Sequence, residues 1–337
     1  MKIKTFAVAS AFALAAAVPA LAAGNVALLK HASNVPHCAE LLSALLNEAA
    51  GLRVVTNLRI GDAETSALIA DDRVAGVSLT GSTRAGRAVG AAAGAALKPA
   101  VLELGGSDPY LILANADLDV AVGACFAGRR LNSGQSCISA KRLIVDASLA
   151  EAFTAALLKR IEGLRFATES DGPDDGGLLA PMAREDLRTE LHRQVRESVT
   201  AGARLHSGGI VPEGPGWFYP ATLLTEVRPG MPAFDEELFG PVFAVASARD
   251  EAEAIALANE SAYGLGAAVF SRDLDRAERI ARERLRAGAA FVNDFVRSDA
   301  RLPFGGVGAS GFGRELSEEG FRAFTNVKTV YVRHPRG

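Results

Sequence analysis

The stretch "VAGVSLTGSTRAGRAVGAAAGAALKPAVLELGG", residues 74–106, decides the fold. A short apolar run ends at Thr80. Gly81 makes a turn, and Ser82 stands where a helix of small residues begins. A second apolar run then closes on Glu103 and two glycines. Strand, helix and strand in that order make a parallel unit with its crossover helix. Free N–H groups at the helix start favour an anion such as a pyrophosphate, though Ser82 also reads as an ordinary helix cap. Glu103 lies in an apolar strand, where ionisation is costly and a carboxylate gains the character of a general base. A strand-end glutamate paired with a distant arginine fits those residues equally well.

The same alternation runs outward in both directions. Residues 25–30, 53–58 and 142–146 read as strands, as do "PVFAVAS", "GAAVF" and "AAFVN". Residues 35–51, 62–70, 117–130, 149–164, 184–201, 249–259 and 273–287 read as helices. A short strand is expected at 204–206, and "VKTVYV" (327–332) reads as a last one. The expected fold class is α/β, with mostly parallel sheet and helices on both faces.

The chain has 337 residues, 49% of them apolar and 22% charged, long enough for two domains. Basic and acidic residues number 36 and 39, without a basic block, so nucleic acid is not expected as a partner. Three widely spaced cysteines make neither a disulfide framework nor a metal pair, and the five histidines show no ligand spacing. The segment 1–23 has Lys2 and Lys4, an apolar run and Ala20-Leu21-Ala22, the layout of an export signal; a rearranged apolar segment, or an apolar helix packed in the core, is the other reading. Its apolar run is too short for an ordinary membrane span, and no membrane partner is expected.

Cys137 differs from the other two cysteines. Cys38 and Cys125 fall in helical apolar patterns, as core fillers do. Cys137 follows Asn132, Ser133, Gly134, Gln135 and Ser136, a small polar loop that leaves its sulfur reachable. Loop N–H groups could face a developing oxyanion there.

Four segments in order, "VLELGGSDPYLILANADLDVAV", "NSGQSCISAKR", "EELFGPVFAV" and "LPFGGVGASGFGRE", resemble the aldehyde dehydrogenase superfamily. The similarity runs from about Pro19 to Val332. "LLKHASNVP" and "RSDARLPFGG" resemble its succinate-semialdehyde dehydrogenase branch. The resemblance implies an incomplete Rossmann-like cofactor domain (24–105) and an α/β catalytic domain (106–309). A tail (310–337) would return to the cofactor domain and join an oligomer. It implies that Cys137 attacks the aldehyde to give a thiohemiacetal, that hydride passes to the nicotinamide, and that Glu103 activates the water that hydrolyses the thioester. It also implies that Lys30, Gly81, Ser82, Glu237 and Phe239 hold the cofactor, NAD or NADP. At Ser33 NAD-preferring relatives often carry a glutamate, so NADP should be tolerated. Asn293, Arg297 and Ser298 are candidates for the substrate tunnel. The partners expected are a small aldehyde and further copies of the chain.

Three departures stand beside this. The family's chains carry earlier strands and a Pro-Trp-Asn-Phe-Pro motif whose asparagine donates to the oxyanion; counting back places that asparagine at Ala7. Losing one such donor costs about a hundred- to a thousandfold in turnover. Ser107 stands where relatives usually have lysine. Leu131 stands where some succinate-semialdehyde enzymes have arginine, with Arg130 one place off. The expectation is a cytoplasmic enzyme, with export as the alternative location. The competing function is an impaired remnant that only binds a partner subunit or cofactor.

Overall fold

A computed structural model describes residues 17–172 and 177–334. The first part carries β1 (Ala27–Leu29), α1 (Pro36–Ala50), β2 (Val55–Asn57), α2 (Asp62–Ala70), β3 (Val77–Thr80), α3 (Thr83–Ala95) and β4 (Ala100–Glu103). Strands β1 and β2 form a parallel pair. Strands β3 and β4 form another, in register from Val77 opposite Ala100 to Thr80 opposite Glu103. Ser82 caps α3, its Oγ accepting from the Ala85 N–H at 3.2 Å. Gly51 ends α1 in the left-handed conformation that glycine adopts without strain.

The next part is built on one large sheet. Its elements are β5 (Asp108–Ile112), α4 (Leu118–Arg130), β6 (Ala140–Asp146), α5 (Ala150–Ile161), β7 (Arg165–Phe166), β8 (Leu178–Leu179), α6 (Glu185–Thr200), β9 (Arg204–Ser207), β10 (Thr222–Thr225), α7 (Pro232–Asp235), β11 (Val242–Ala248), α8 (Glu251–Asn259), β12 (Gly266–Phe270), α9 (Leu274–Glu283) and β13 (Ala289–Val292). Seven strands lie in the order β13-β12-β5-β6-β11-β10-β9. Every pairing is parallel except the edge pair β9–β10. An antiparallel edge on a parallel sheet is common where helices cover both faces. Tyr110, Leu111, Leu143, Ile144, Phe243, Val269 and Phe270 are wholly buried in the two cores on either face.

The chain then turns back. β14 (Gly311–Phe312) pairs antiparallel with β4, setting Gly311 opposite Glu103, and α10 (Ser317–Arg322) follows. Asn25 Nδ2 donates to the Phe324 carbonyl, and Thr83 Oγ1 to that of Ala309. Residues 305–324 therefore pack on the cofactor-side elements.

Three readings from sequence change here. β5 went unread because Asp108, Pro109 and Tyr110 interrupt its apolar run, yet it is a fully buried inner strand. The helix expected over 273–287 ends at Glu283, because Asn259 accepts from the Arg286 N–H and donates to the Arg284 carbonyl, unwinding that end. Residues 327–332 form no strand: Val327, Val330, Tyr331 and Val332 are exposed, and among the described residues they pair with no strand. Of the signal-like segment, residues 17–22 are helical, while 1–16, Ala7 among them, lie outside the described residues.

Candidate active site

Cys137 is delivered by a strained loop. Asn132, Ser133 and Gly134 follow one another at positive φ (52°, 54° and 75°). A Cβ on Gly134 would come 2.2 Å from the Gly240 carbonyl oxygen, so only glycine lets this loop lie against the "ELFGP" segment. The loop is anchored on its other side: Ser133 Oγ accepts from the Ala180 N–H at 2.9 Å and Gln135 Oε1 from the Ala183 N–H at 2.8 Å. Strain of this kind persists where surrounding structure over-determines the loop. Cys137 then sits three residues ahead of β6, partly buried.

Glu103 closes β4. It is 2% exposed, and among the described residues neither carboxylate oxygen has a hydrogen-bond partner. Burial pushes its pKa up to about 9, Glu315 adds to the rise, and Arg314 opposes it. Glu315 is itself raised to about 7 by burial, against a hydrogen bond from Ser78. The carboxyl of Glu103 lies against Gly305, where a Cβ would stand 2.6 Å from its Oε1. No hydrogen bond joins Glu103 to Cys137, yet the thiol feels its charge.

The surroundings of that thiol favour its protonated form. Burial pushes its pKa up to about 12; Lys141 pulls it down, while Asp108, Glu237 and Glu103 raise it further. An accessible polar loop suggested a nucleophile ready to act, but desolvation outweighs the one nearby cation.

Glu237 reaches the same focus from the segment before β11. Its Oε1 accepts from the Gly106 N–H at 3.1 Å and from Lys141 Nζ at 2.9 Å. A Cβ on Gly105 would fall 2.2 Å from its Oε2, so the "LELGG" glycines make the cradle for this carboxylate. Phe239 is half-buried two residues on. Gly81 is tied in as well, its N–H donating to the Glu103 carbonyl at 2.9 Å. Gly81 and Ser82 are exposed at the C-terminal end of β3, and Lys30 and Ser33 are exposed beyond the C-terminal end of β1. Carboxyl ends of parallel strands are where open α/β sheets bind nucleotides. The orphaned carboxylate of Glu103 and the glycine cradle under Glu237 both fit a nicotinamide nucleotide and a water or substrate beside it.

The substrate candidates fare differently. Asn293 spends its side chain on Ser271, accepting from its N–H and donating to its carbonyl, both at 2.9 Å. It also follows the C-terminal end of β13, whereas Cys137 precedes the N-terminal start of β6. In a parallel sheet those are opposite edges, so Asn293 ties strand ends together and does not line the site. Val296 brings the chain back, its N–H donating to Tyr110 Oη at 2.7 Å. Arg297 and Ser298 follow, both exposed, with Arg297 paired to Asp294 at 2.7 Å and lying over the Phe295 ring.

Sequence reasoning gave no role to Lys141, Asp108, Arg129 or Glu315. Lys141 and Asp108 carry a signal, a charge set in an otherwise apolar strand. Arg129 is wholly buried, giving its Nη2 to the carbonyls of Leu238 and Gly240. Among the described residues no group of three or more His, Cys, Asp or Glu could hold a metal. None of the described helices is long and apolar enough to cross a membrane.

With this geometry in view, the sequence matches the aldehyde dehydrogenase family over residues 1–330. The chain belongs to the aldehyde dehydrogenase family. The match also takes in residues 1–18, which precede the stretch that carries the resemblance. The chain is 48% identical to the succinate semialdehyde dehydrogenase [NAD(P)+] Sad of Escherichia coli, over 94% of its own length and 68% of that protein's. It is 44% identical to succinate-semialdehyde dehydrogenase [NADP(+)] 1 of Mycobacterium tuberculosis, with the same coverage. The solved succinic semialdehyde dehydrogenase from Streptococcus pyogenes, in complex with NADP+, superposes with a TM-score of 0.91 at 36% identity. That comparison covers 96% of this chain and 70% of the other. The α/β fold of a Rossmann-like part beside a catalytic part is that of these structures.

Proposed function

We propose that this chain catalyses NAD(P)-dependent oxidation of an aldehyde to a carboxylic acid, with succinate semialdehyde as the substrate. One observation supports the chemistry: Glu103, Glu237 and Lys141, from three separate segments, all lie near enough to the Cys137 thiol to act on it electrostatically, and Lys141 bonds both the Cys137 carbonyl and Glu237. The names of the similar proteins support the semialdehyde and the use of either nucleotide.

A bound nicotinamide nucleotide supplies the hydride acceptor. The residues of this chain do the rest. Cys137 must first lose its proton, and Lys141 is the charge that favours this. The sulfur then adds to the carbonyl carbon, and the developing oxyanion faces the Cys137 backbone N–H. Once the thioester stands on Cys137, Glu103 takes a proton from the water that releases the acid. Glu237 and Phe239 hold the nicotinamide ribose, Lys30 the adenosine ribose, and Gly81 and Ser82 the pyrophosphate. Arg297, by exchanging Asp294 for the substrate, is the cation for a semialdehyde carboxylate. The chain works as a homo-oligomer in the cytoplasm; size-exclusion mass and N-terminal sequencing of the mature chain test those two points.

The test is absorbance at 340 nm with succinate semialdehyde and either nucleotide. Turnover should vanish in Cys137→Ala. Glu103→Gln should keep a single burst of reduced nucleotide and lose steady-state turnover. An impaired chain that only binds is the second reading, favoured by Ala7 where relatives carry an asparagine donor. Nucleotide-induced thermal stabilisation without any burst would establish it.

A further inference from the structure

Lys141 is a buried cation that the reaction scheme above uses only as a distant charge. It is 1% exposed, on the second residue of β6. All three ammonium donors are spent: on the Ser136 carbonyl at 3.0 Å, the Cys137 carbonyl at 2.7 Å and Glu237 Oε1 at 2.9 Å. It therefore grips the peptide of the nucleophile with two bonds and the ribose-holding carboxylate with the third. Glu237 Oε1 also accepts from Gly106, so three segments meet on this pair: the cysteine loop, "LELGG" and "EELFGP".

We propose that Lys141 is a positioning residue that couples nucleotide binding to the nucleophile: it fixes the Cys137 peptide, and its charge is shared between Glu237 and the Cys137 sulfur. The proposal rests on the dehydrogenase reading of Cys137 and Glu237. When Glu237 turns its carboxylate to the ribose hydroxyls, the ammonium loses its hydrogen-bonded counter-ion. An uncompensated buried cation is costly, and the group beside it that can become an anion is the thiol. The charges facing that sulfur are known from each neighbouring element: Lys141 from β6, Asp108 from β5, Glu103 from β4 and Glu237 from the segment before β11. Arg129, from α4, faces Glu237. Asp108, whose Oδ2 has no partner, offsets part of the released charge, and the thiol takes the remainder.

The test reads Cys137 directly. Iodoacetamide labelling at Cys137 is followed by peptide mass spectrometry across pH, with and without NADP+ and with no aldehyde present. The midpoint of the pH profile is compared, since bound nucleotide also changes absolute access. In the native chain NADP+ should lower the midpoint by about one pH unit, a tenfold gain in thiolate at neutral pH. Lys141→Met should raise the nucleotide-free midpoint by about one unit and remove the response to NADP+. Glu237→Gln keeps an acceptor for Lys141 and Gly106, so it decides the matter if Lys141→Met fails to fold. Its midpoint should be low without nucleotide and should not move on adding it. A Lys141→Met profile like the native one, or a full NADP+ response in Glu237→Gln, overturns the proposal. So does a native midpoint that ignores bound NADP+ while 340 nm turnover persists, which leaves the dehydrogenase reading standing. Absence of labelling, nucleotide binding and turnover together removes both.

Discussion

The two strand ends that carry Glu103 and Cys137 belong to very different sheets. β6 lies in the middle of seven strands, and six of its seven residues are buried. β4 lies in the middle of three, flanked by a half-exposed strand and a two-residue one. The large sheet shelters groups that are costly to bury: Lys141, Arg142, Arg129 and Asp108 are all at most 2% exposed. On the cofactor side the expected nucleotide contacts Lys30, Ser33, Gly81 and Ser82 stand in solvent. One region holds most of its charges by internal bonding and a thick core, although Asp108 Oδ2 and Arg129 Nε and Nη1 are left without partners among the described residues. The other offers open donors at strand ends, where a ligand would supply the missing contacts. The contrast makes stability a property mainly of the catalytic sheet and affinity a property mainly of the cofactor side.

The largest effect expected from that contrast is at Arg142. Its Nε donates to the Ser107 carbonyl at 3.0 Å, and its Nη atoms to Leu257 and Ala258 at 2.8 and 2.9 Å. Those last two are carbonyls of the last turn of α8; that of Leu257 also accepts from the Glu260 N–H at 3.3 Å, and that of Ala258 takes its bond from Arg142. Burial lowers its pKa to about 10, so it stays charged at neutral pH. Arg142→Met should cost about 3–5 kcal/mol, because several buried acceptors lose their donor at once. Urea denaturation would show it. A loss under about 1 kcal/mol would mean that the large sheet does not depend on its buried charges as described.

Next comes the costlier of the two buried carboxyls on the thinner side, Glu103 and Glu315. Glu103 is raised from 4.5 to about 9, so the folded chain holds its proton where the unfolded chain has released it. The folded state then binds more protons than the unfolded one between those values. Stability conferred by this group is complete below about pH 4.5 and is lost as pH rises towards 9. Glu103→Gln should flatten the fall in Tm over that window and be the more stable chain at pH 8–9, by a margin on the order of a few kcal/mol. A Tm slope equal to the native one would place the loss elsewhere. The same sign governs turnover: deacylation should quicken from pH 7 to 9 as Glu103 becomes a base.

A smaller effect belongs to the open donors. Ser33→Glu puts a carboxylate in solvent where a 2′-phosphate would come. Affinity for NADP should fall about tenfold relative to NAD, with Tm unchanged. Equal losses for both nucleotides would move the adenosine ribose away from Lys30 and Ser33.

How much of this was legible in the sequence follows the same division. The βαβ unit at 74–106 read correctly because its apolar runs and glycine punctuation are local signals. Cys137 and Glu103 stood out because each breaks a pattern within a few residues. β5 does not read as a strand, since Asp108 and Pro109 look like a turn until the Gly266 N–H donates to Asp108 and Arg142 to the Ser107 carbonyl from further along the chain. Lys141 shows no role within its motif, because what it binds is set by the fold and not by its neighbours in sequence. Asn293 was misplaced for the opposite reason. It lies near the right residues in sequence, but strand direction sends it to the far edge of the sheet. The protonated state of the thiol is likewise a product of burial, which no short motif records.

The smallest predicted change is the sharpest test of the division itself. Ser82 caps α3 through one bond, its Oγ accepting from the Ala85 N–H, with Ser82 exposed and Ala85 half-buried on the cofactor side. Removing a capping hydroxyl costs about 1 kcal/mol when a helix end stabilises only its own surroundings. Ser82→Ala should therefore lower the urea midpoint slightly and leave the slope of the transition unchanged, since the large sheet still unfolds as before. It should also weaken nucleotide binding, because the same helix start would hold the pyrophosphate. If the two regions unfold as separate units, hydrogen exchange in Ser82→Ala should quicken across β3, α3 and β4 and stay native in β5, β6 and β11. Faster exchange throughout β6 would mean that the glycine-threaded contacts around Glu103 and Glu237 bind both sheets into one cooperative unit, and that Arg142 and Ser82 differ in degree rather than in kind.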